Sequence, residues 1–298
     1  PEYDRIEIRK SKTINELFKA PSVIVWKKHL DGDMSELIWA PEIHYIDKKW
    51  YIYFAAAPNK EVTGITFNHR MYVIECLDAD PLTGTWTEKG QIKTGWESFS
   101  LDATILQHKG KLYYIWAQED RNVNYESHSN IYIAEMENPW TLRTKPVMLT
   151  QPLLDWEIKI FWVNEGPAIL KKNGKIFLTY SASATDENYC MGMLVVNEND
   201  DLLDPKSWKK LEKPVFKTSY KNKQYGPGHN SFTVSEDGMK DLLVYHARNY
   251  TDIEGDPLYD PNRHTRVQVI EWDKDGFPIF GEPVMDTRNV DFDSLRKK

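Results

Sequence analysis

The sequence is poor in several features that would place a chain quickly. Only two of its 298 residues are cysteine, Cys76 and Cys190. Two cysteines exclude a disulfide framework and read as free thiols, which favours a cytoplasmic over a secreted location. No apolar run approaches the roughly 20 residues that span a bilayer as a helix. The opening Pro1-Glu2-Tyr3-Asp4-Arg5 is not the start of a signal peptide, and no membrane partner is expected. Positive charge is in deficit, with 38 Lys and Arg against 45 Asp and Glu for a net charge of −7. That balance argues against nucleic acid as a partner, because phosphate binding wants clustered cations. A sustained helical period is missing too, so no helical layer is expected.

What the chain has in quantity is aromatic side chains, 13% of all residues with 11 Trp and 16 Tyr. Aromatics at this level favour strands and ring-binding surfaces. Many of them fall in an internal repeat. Lys48-Lys49-Trp50-Tyr51-Ile52-Tyr53-Phe54-Ala55 is echoed by Gly110-Lys111-Leu112-Tyr113-Tyr114-Ile115-Trp116-Ala117 and by Gly174-Lys175-Ile176-Phe177-Leu178-Thr179-Tyr180-Ser181. A weaker copy is Lys240-Asp241-Leu242-Leu243-Val244-Tyr245-His246-Ala247, and the copies recur roughly every 60 to 65 residues. Each is preceded by an apolar segment: Leu37 to Ile46, Ser100 to Gln107, Val163 to Lys171 and His229 to Ser235. The first three are followed by a further strand and an Asp-Pro or Asn-Pro turn starter, at Asp80-Pro81, Asn138-Pro139 and Asp204-Pro205. Thr265 to Trp272 completes the fourth unit.

Units of about four short strands read as propeller blades. Asp4 to Ser11 matches the third strand of such a unit and Ser22 to Trp26 the fourth. The expected fold class is therefore all-β, a five-bladed β-propeller in which the inner strands of the first blade are missing from the chain. Residues 1–298 are expected to form a single catalytic domain, incomplete at its N-terminus.

Three inner-strand segments carry motifs: Ile38-Trp39-Ala40-Pro41-Glu42-Ile43-His44, Ser100-Leu101-Asp102-Ala103-Thr104, and Phe161-Trp162-Val163-Asn164-Glu165-Gly166-Pro167. The starts of inner strands converge on a propeller's central channel, so these carboxylates are expected to meet. Glu165 lies between a bulky apolar run and a Gly-Pro turn, where desolvation raises a carboxyl pKa and makes it a proton donor near neutrality. Its bland alternative is a loop glutamate at a strand start, and that of Asp102 is a cap on backbone N–H groups. Two carboxylates facing one pocket are what glycosidic hydrolysis needs.

These residues, with Asp80-Pro81-Leu82-Thr83-Gly84-Thr85-Trp86 and Tyr225-Gly226-Pro227-Gly228-His229-Asn230, resemble glycoside hydrolase family 43. The likeness is closest to its exo-acting α-L-arabinofuranosidases. The resemblance implies a five-bladed propeller that hydrolyses furanosidic or xylosidic links with inversion. It makes Glu165 the general acid and Asp102 the carboxylate that orients the acid and modulates its pKa. It places the general base on the first inner strand, ahead of residue 1. His229, in a Gly-Pro-Gly turn that is expected to open the fourth blade, corresponds to a histidine near a water or calcium ion on the axis, so Ca2+ is a possible ligand, although calcium prefers oxygen donors.

Arg266 resembles the arginine that contacts substrate or acid, against the alternative of a surface strand arginine. Trp39, Trp96, Phe99 and Trp162 are candidates for a sugar-stacking wall. Asn164 lies beside the acid, and Glu42 either binds substrate hydroxyls or supports the strand. No cofactor is required by this reading. The expected partner is an arabinose-containing oligosaccharide or polysaccharide. A β-xylosidase and a non-catalytic sugar-binding propeller are the alternatives.

Overall fold

In the computed structural model, which describes residues 3–122 and 128–286, the chain is a succession of antiparallel sheets. Four of them are blades. The first runs through Glu36–Ile46, Lys49–Ala57, Arg70–Cys76 and Trp86–Gln91. The second uses Ser100–His108, Lys111–Gln118 and Asn130–Asn138, with Thr141–Leu142 and Val147–Thr150 both paired to the last of these. Asn164–Lys172, Lys175–Ala182, Cys190–Asn197 and Lys209–Lys210 make the third. Tyr225–Val234, Asp241–Arg248 and His264–Val269 make the fourth, and a short pair, Glu271–Trp272 with Pro278–Ile279, follows it. Consecutive inner strands lie against one another, which gives the propeller arrangement. A two-stranded sheet, Arg5–Ile8 with Val23–Lys27, precedes the first blade.

The repeat seen in the sequence is the second strand of each blade. These strands are covered on both faces by neighbouring blades, so Tyr51 to Ala57 and Tyr113 to Gln118 are buried without interruption. An uninterrupted apolar run, rather than alternation, marks a strand covered on both sides. Two-residue hairpins join the inner to the second strand in the first three blades. Both loop residues take positive φ in each: Asp47 and Lys48 (47° and 64°), Lys109 and Gly110 (49° and 74°), Asn173 and Gly174 (55° and 71°). That geometry matches the right-handed twist of the flanking strands.

The core lies between the blades. Tyr53, Tyr114, Trp116, Tyr180 and Leu194 belong to a cluster shared by the first three blades, and Phe177, Met193, Leu243 and Tyr245 to one between the third and fourth. Each such side chain contributes roughly 1.5–3 kcal/mol of burial. The N-terminal sheet packs through Ile6 and Trp26 on Ile52, Phe54, Tyr72 and Ile74 of the first blade.

Candidate active site

The four inner strands share one irregularity that the sequence did not reveal. In each, two residues stand opposite a single residue of the second strand: Ala40-Pro41 opposite Phe54, Asp102-Ala103 opposite Trp116, Gly166-Pro167 opposite Tyr180, and His229-Asn230 opposite Tyr245. The first residue of each pair is left-handed, with φ of 45° at Ala40, 54° at Asp102, 55° at Gly166 and 43° at His229. A β-bulge bends the strand and re-aims its side chains. Left-handed non-glycine residues cost on the order of 1–3 kcal/mol each and cluster at functional sites. The Gly166-Pro167 and Gly226-Pro227-Gly228 runs, expected to be turns, are therefore bulges inside strands, and the fourth inner strand begins at Tyr225.

Close approach dictates glycine at Gly226 and Gly228, where a Cβ would meet the Asp186 carbonyl oxygen at 2.2 Å and the Tyr189 ring at 2.4 Å, while one on Gly166 would press on the His229 ring at 3.2 Å.

The bulges bring Asp102, Glu165 and His229 together from three blades. The Gly166 N–H donates to Asp102 Oδ2 at 3.0 Å, and His229 Nδ1 lies 3.8 Å from the same oxygen. Tyr189 donates its hydroxyl to Glu165 Oε1 at 2.7 Å. Glu42 joins from the first blade, accepting from Thr104 Oγ1 at 2.6 Å, with His44 Nε2 2.8 Å from the same oxygen.

Burial pushes the Glu165 pKa up to about 7, helped by the Asp102 charge and opposed by Tyr189, His229 and Arg263. Asp102, 5% exposed, is also pushed up to about 7 by burial and by the Glu42 charge, against the pull of the Gly166 N–H and Arg263. The Asp102 charge acts on Glu165, so the titrations of the two carboxyls are linked. His229 is driven down by burial and stays neutral at pH 7.

Arginine enters from an unexpected position. Arg263, just ahead of His264–Val269, is the cation that acts on Asp102, Glu165 and His229. Arg266 is instead paired with Asp286 at 3.0 and 3.1 Å, and its Nη1 donates to the carbonyls of Ala247 and His264. The expectation for Arg266 is corrected accordingly: the strand carries that side chain away from the channel group.

The aromatic candidates separate. Trp39 and Phe99 gather around buried His69, with ring centroids 4.3 and 5.8 Å from it, and Phe67 completes the box. Trp96, just ahead of the second blade, meets Tyr132 of that blade at a tilt, ring centroids 5.0 Å apart and planes at 55°. Trp162 is half-buried, its carbonyl accepting from the His128 N–H.

Asn164 is not brought to the carboxylates. It is fully buried, donates to Glu157 Oε1 at 3.2 Å and accepts from Thr150. Among the described residues no three His, Cys, Asp or Glu side chains converge to hold a metal. The single imidazole of His229 among coupled carboxyls does not suit calcium, and no step below runs through a metal.

A profile described as "Glycosyl hydrolases family 43" matches residues 1–278. The chain belongs to this family. It is 56% identical to a Streptomyces avermitilis protein named "Extracellular exo-alpha-(1->5)-L-arabinofuranosidase", over 96% of this chain and 58% of that protein. It is 51% identical to "Alpha-L-arabinofuranosidase 43" of Humicola insolens, with the same 96% and 58% coverage. The chain thus spans 58% of the length of these two curated relatives.

The solved structure of an alpha-L-arabinofuranosidase from Lactobacillus brevis superposes with a TM-score of 0.94 at 62% identity, covering 96% of this chain and 89% of that one. This family 43 chain also has a Streptomyces chartreusis relative named extracellular, 51% identical over 86% of the chain and 76% of the relative. The two extracellular names overturn the cytoplasmic expectation. It rested on Cys76 and Cys190, which are both free and buried. Burial pushes the Cys190 thiol up to about 12 and raises Cys76 as well. Thiols this inert report nothing about the redox compartment.

Proposed function

We propose that this chain is the catalytic propeller of an inverting glycoside hydrolase that releases terminal α-L-arabinofuranose from arabinan or arabino-oligosaccharides. The observation that carries the reading is the Glu165–Asp102 pair, with Glu165 raised to about 7 by burial and a neighbouring like charge. Such a carboxyl holds a proton at neutral pH and can give it up as a leaving oxygen gains charge. Glu165 donates to the glycosidic oxygen while the bond to the anomeric carbon breaks. Asp102, anchored by the Gly166 N–H, keeps the acid protonated beforehand. Water adds to the opposite face of the sugar, which inverts the centre.

The two-stranded sheet Arg5–Ile8/Val23–Lys27 fits as the outer half of a fifth blade, since Ile6 and Trp26 pack on the first blade as neighbouring blades pack on each other. The family resemblance puts the water-activating carboxylate on an inner strand of that blade. Trp39 and Phe99, gathered round His69, remain the candidates for an apolar sugar-binding wall, with Glu42 an acceptor for sugar hydroxyls and Arg263 the facing cation. The names of the relatives supply the choice of sugar.

The test is Glu165→Gln in the full-length protein. Hydrolysis of linear arabino-oligosaccharides should fall by ~10²–10⁴, with a smaller loss on an aryl α-L-arabinofuranoside whose leaving group needs little protonation. Full retained activity on the oligosaccharide would overturn the assignment, and preference for aryl β-D-xyloside would overturn the choice of sugar.

A further inference from the structure

The bulge N–H groups of the third and fourth blades both leave their own strand ladders and donate across a seam to the preceding blade. That of Gly166 reaches Asp102 Oδ2 directly. That of His229 reaches Ser181 Oγ at 2.7 Å. Ser181 is fully buried and stands directly opposite Glu165 in the strand pairing. Tyr189, which like Ser181 packs against Gly228, donates its hydroxyl to Glu165 Oε1 at 2.7 Å.

Ser181 accepts from the His229 N–H. Tyr189 donates its hydroxyl to Glu165. The phenol does not lose its own proton, because burial and the charges of Glu165 and Asp102 hold its pKa well above the usual value.

We propose that Tyr189 is a positioning residue for Glu165, held as a donor by its seat between His246 and Gly228, so that Oε1 is permanently an acceptor and the transferable proton is confined to Oε2. A free carboxylic acid can carry its proton on either oxygen, and only one faces the leaving group. Fixing the acceptor oxygen removes the unproductive arrangement. Because donation favours the ionised carboxylate, the same contact keeps Glu165 from becoming too weak an acid between two buried carboxyls.

The ring is held for this task. It is 1% exposed, stacks on His246 at 5.6 Å and 13°, and fits against Gly228, where any Cβ would collide with it. The groups facing Glu165 are Asp102, Tyr189, His229 and Arg263. His246, facing Tyr189, has its pKa driven well below the usual value by burial and nearby cations, so it adds no charge near neutrality.

The inference rests on the reading of Glu165 as the acid, and its test separates the two. Tyr189→Phe keeps the ring and removes the donor. The basic limb of the kcat/KM profile should move up by ~1 pH unit. Activity on oligosaccharides should fall ~10–100-fold, and activity on an activated aryl arabinofuranoside should fall several-fold less. An unmoved limb with equal losses on both substrates overturns the proposal.

Gly228→Ala keeps the tyrosine but pushes its ring away from Glu165, and should give the same upward shift with smaller size. If Tyr189→Phe fails to fold, that variant decides, an unchanged limb overturning the proposal. Glu165→Gln run alongside keeps the two readings apart. Its full activity would remove the acid itself, whereas an inactive Glu165→Gln beside an unshifted Tyr189→Phe removes only the role of the tyrosine.

Discussion

Two glutamates on one stretch of chain, Glu157 and Glu165, meet burial in opposite ways. Glu157 is completely inaccessible, yet it accepts from the N–H groups of Leu153 and Leu154 at 2.9 Å each, from Tyr180 at 2.7 Å and from Asn164 at 3.2 Å, and Lys210 Nζ lies 2.7 Å away. Glu165 is only half-buried but has one close donor, Tyr189, and a second carboxyl as neighbour. Depth alone does not make a proton donor. A carboxylate supplied with a cation and several donors is a structural anchor, and one left short of them next to a like charge becomes an acid. The anchor serves the acid, since Glu157 ties down the loop that leads into Asn164 and Glu165.

The largest effect should come from breaking the anchor. Lys210→Met takes away the cation beside a fully inaccessible carboxyl group, and removing one partner of a buried pair costs about 3 kcal/mol or more. Denaturant melts should show that loss, and a cost below about 1 kcal/mol would mean the backbone donors suffice without the cation.

Next in size is Asp102→Asn, which removes the like charge that raises Glu165. The acid should then ionise at lower pH, so the basic limb of the kcat/KM profile moves down, opposite to the shift expected for Tyr189→Phe. Activity on oligosaccharides should fall ~10²-fold, the scale of one acid–base contribution. An upward shift would show that Asp102 acts on the acid other than through its charge.

The blades were legible because burial on both faces writes an uninterrupted apolar run, as in Tyr51 to Ala57, and such runs repeat. The convergence of Asp102 and Glu165 followed from their places at the starts of inner strands. What stayed hidden comes from contacts across blade seams. Ser181 lies inside a core strand, while Tyr189 and Arg263 lie just ahead of one, in positions that the repeat does not mark.

Gly166-Pro167 and Gly226-Pro227-Gly228 were read as turns because glycine permits positive φ in a turn and in a bulge alike. Only the strand pairing tells the two apart. Arg266 was singled out on a recognisable strand, but a strand fixes the side on which each residue emerges, and Arg266 emerges towards Asp286. The network around Glu157 left no mark in the sequence either, because its donors are backbone groups and residues from three separate segments.

The smallest effect gives the comparison its sharpest test, because the two glutamates should respond with opposite sign. Native Glu165 keeps a proton up to about 7, while in the unfolded chain it has released it by about pH 4.3. Between these values the native state binds more protons than the unfolded one, so this group makes stability fall as pH rises. Its contribution is complete below the ordinary carboxyl range and is lost once the pH passes about 7. Glu165→Gln removes that penalty. The variant should match the parent near pH 4 and exceed it at pH 8 by on the order of 1–2 kcal/mol, less than an isolated group would give because its titration is linked to that of Asp102. Glu157→Gln at pH 8 should instead lose stability, because it leaves Lys210 without its carboxylate. Urea midpoints at the two pH values measure both. If Glu165→Gln destabilises at pH 8 as Glu157→Gln does, the channel carboxyl is an anchor like its neighbour, and the strain attributed to its charged form does not exist.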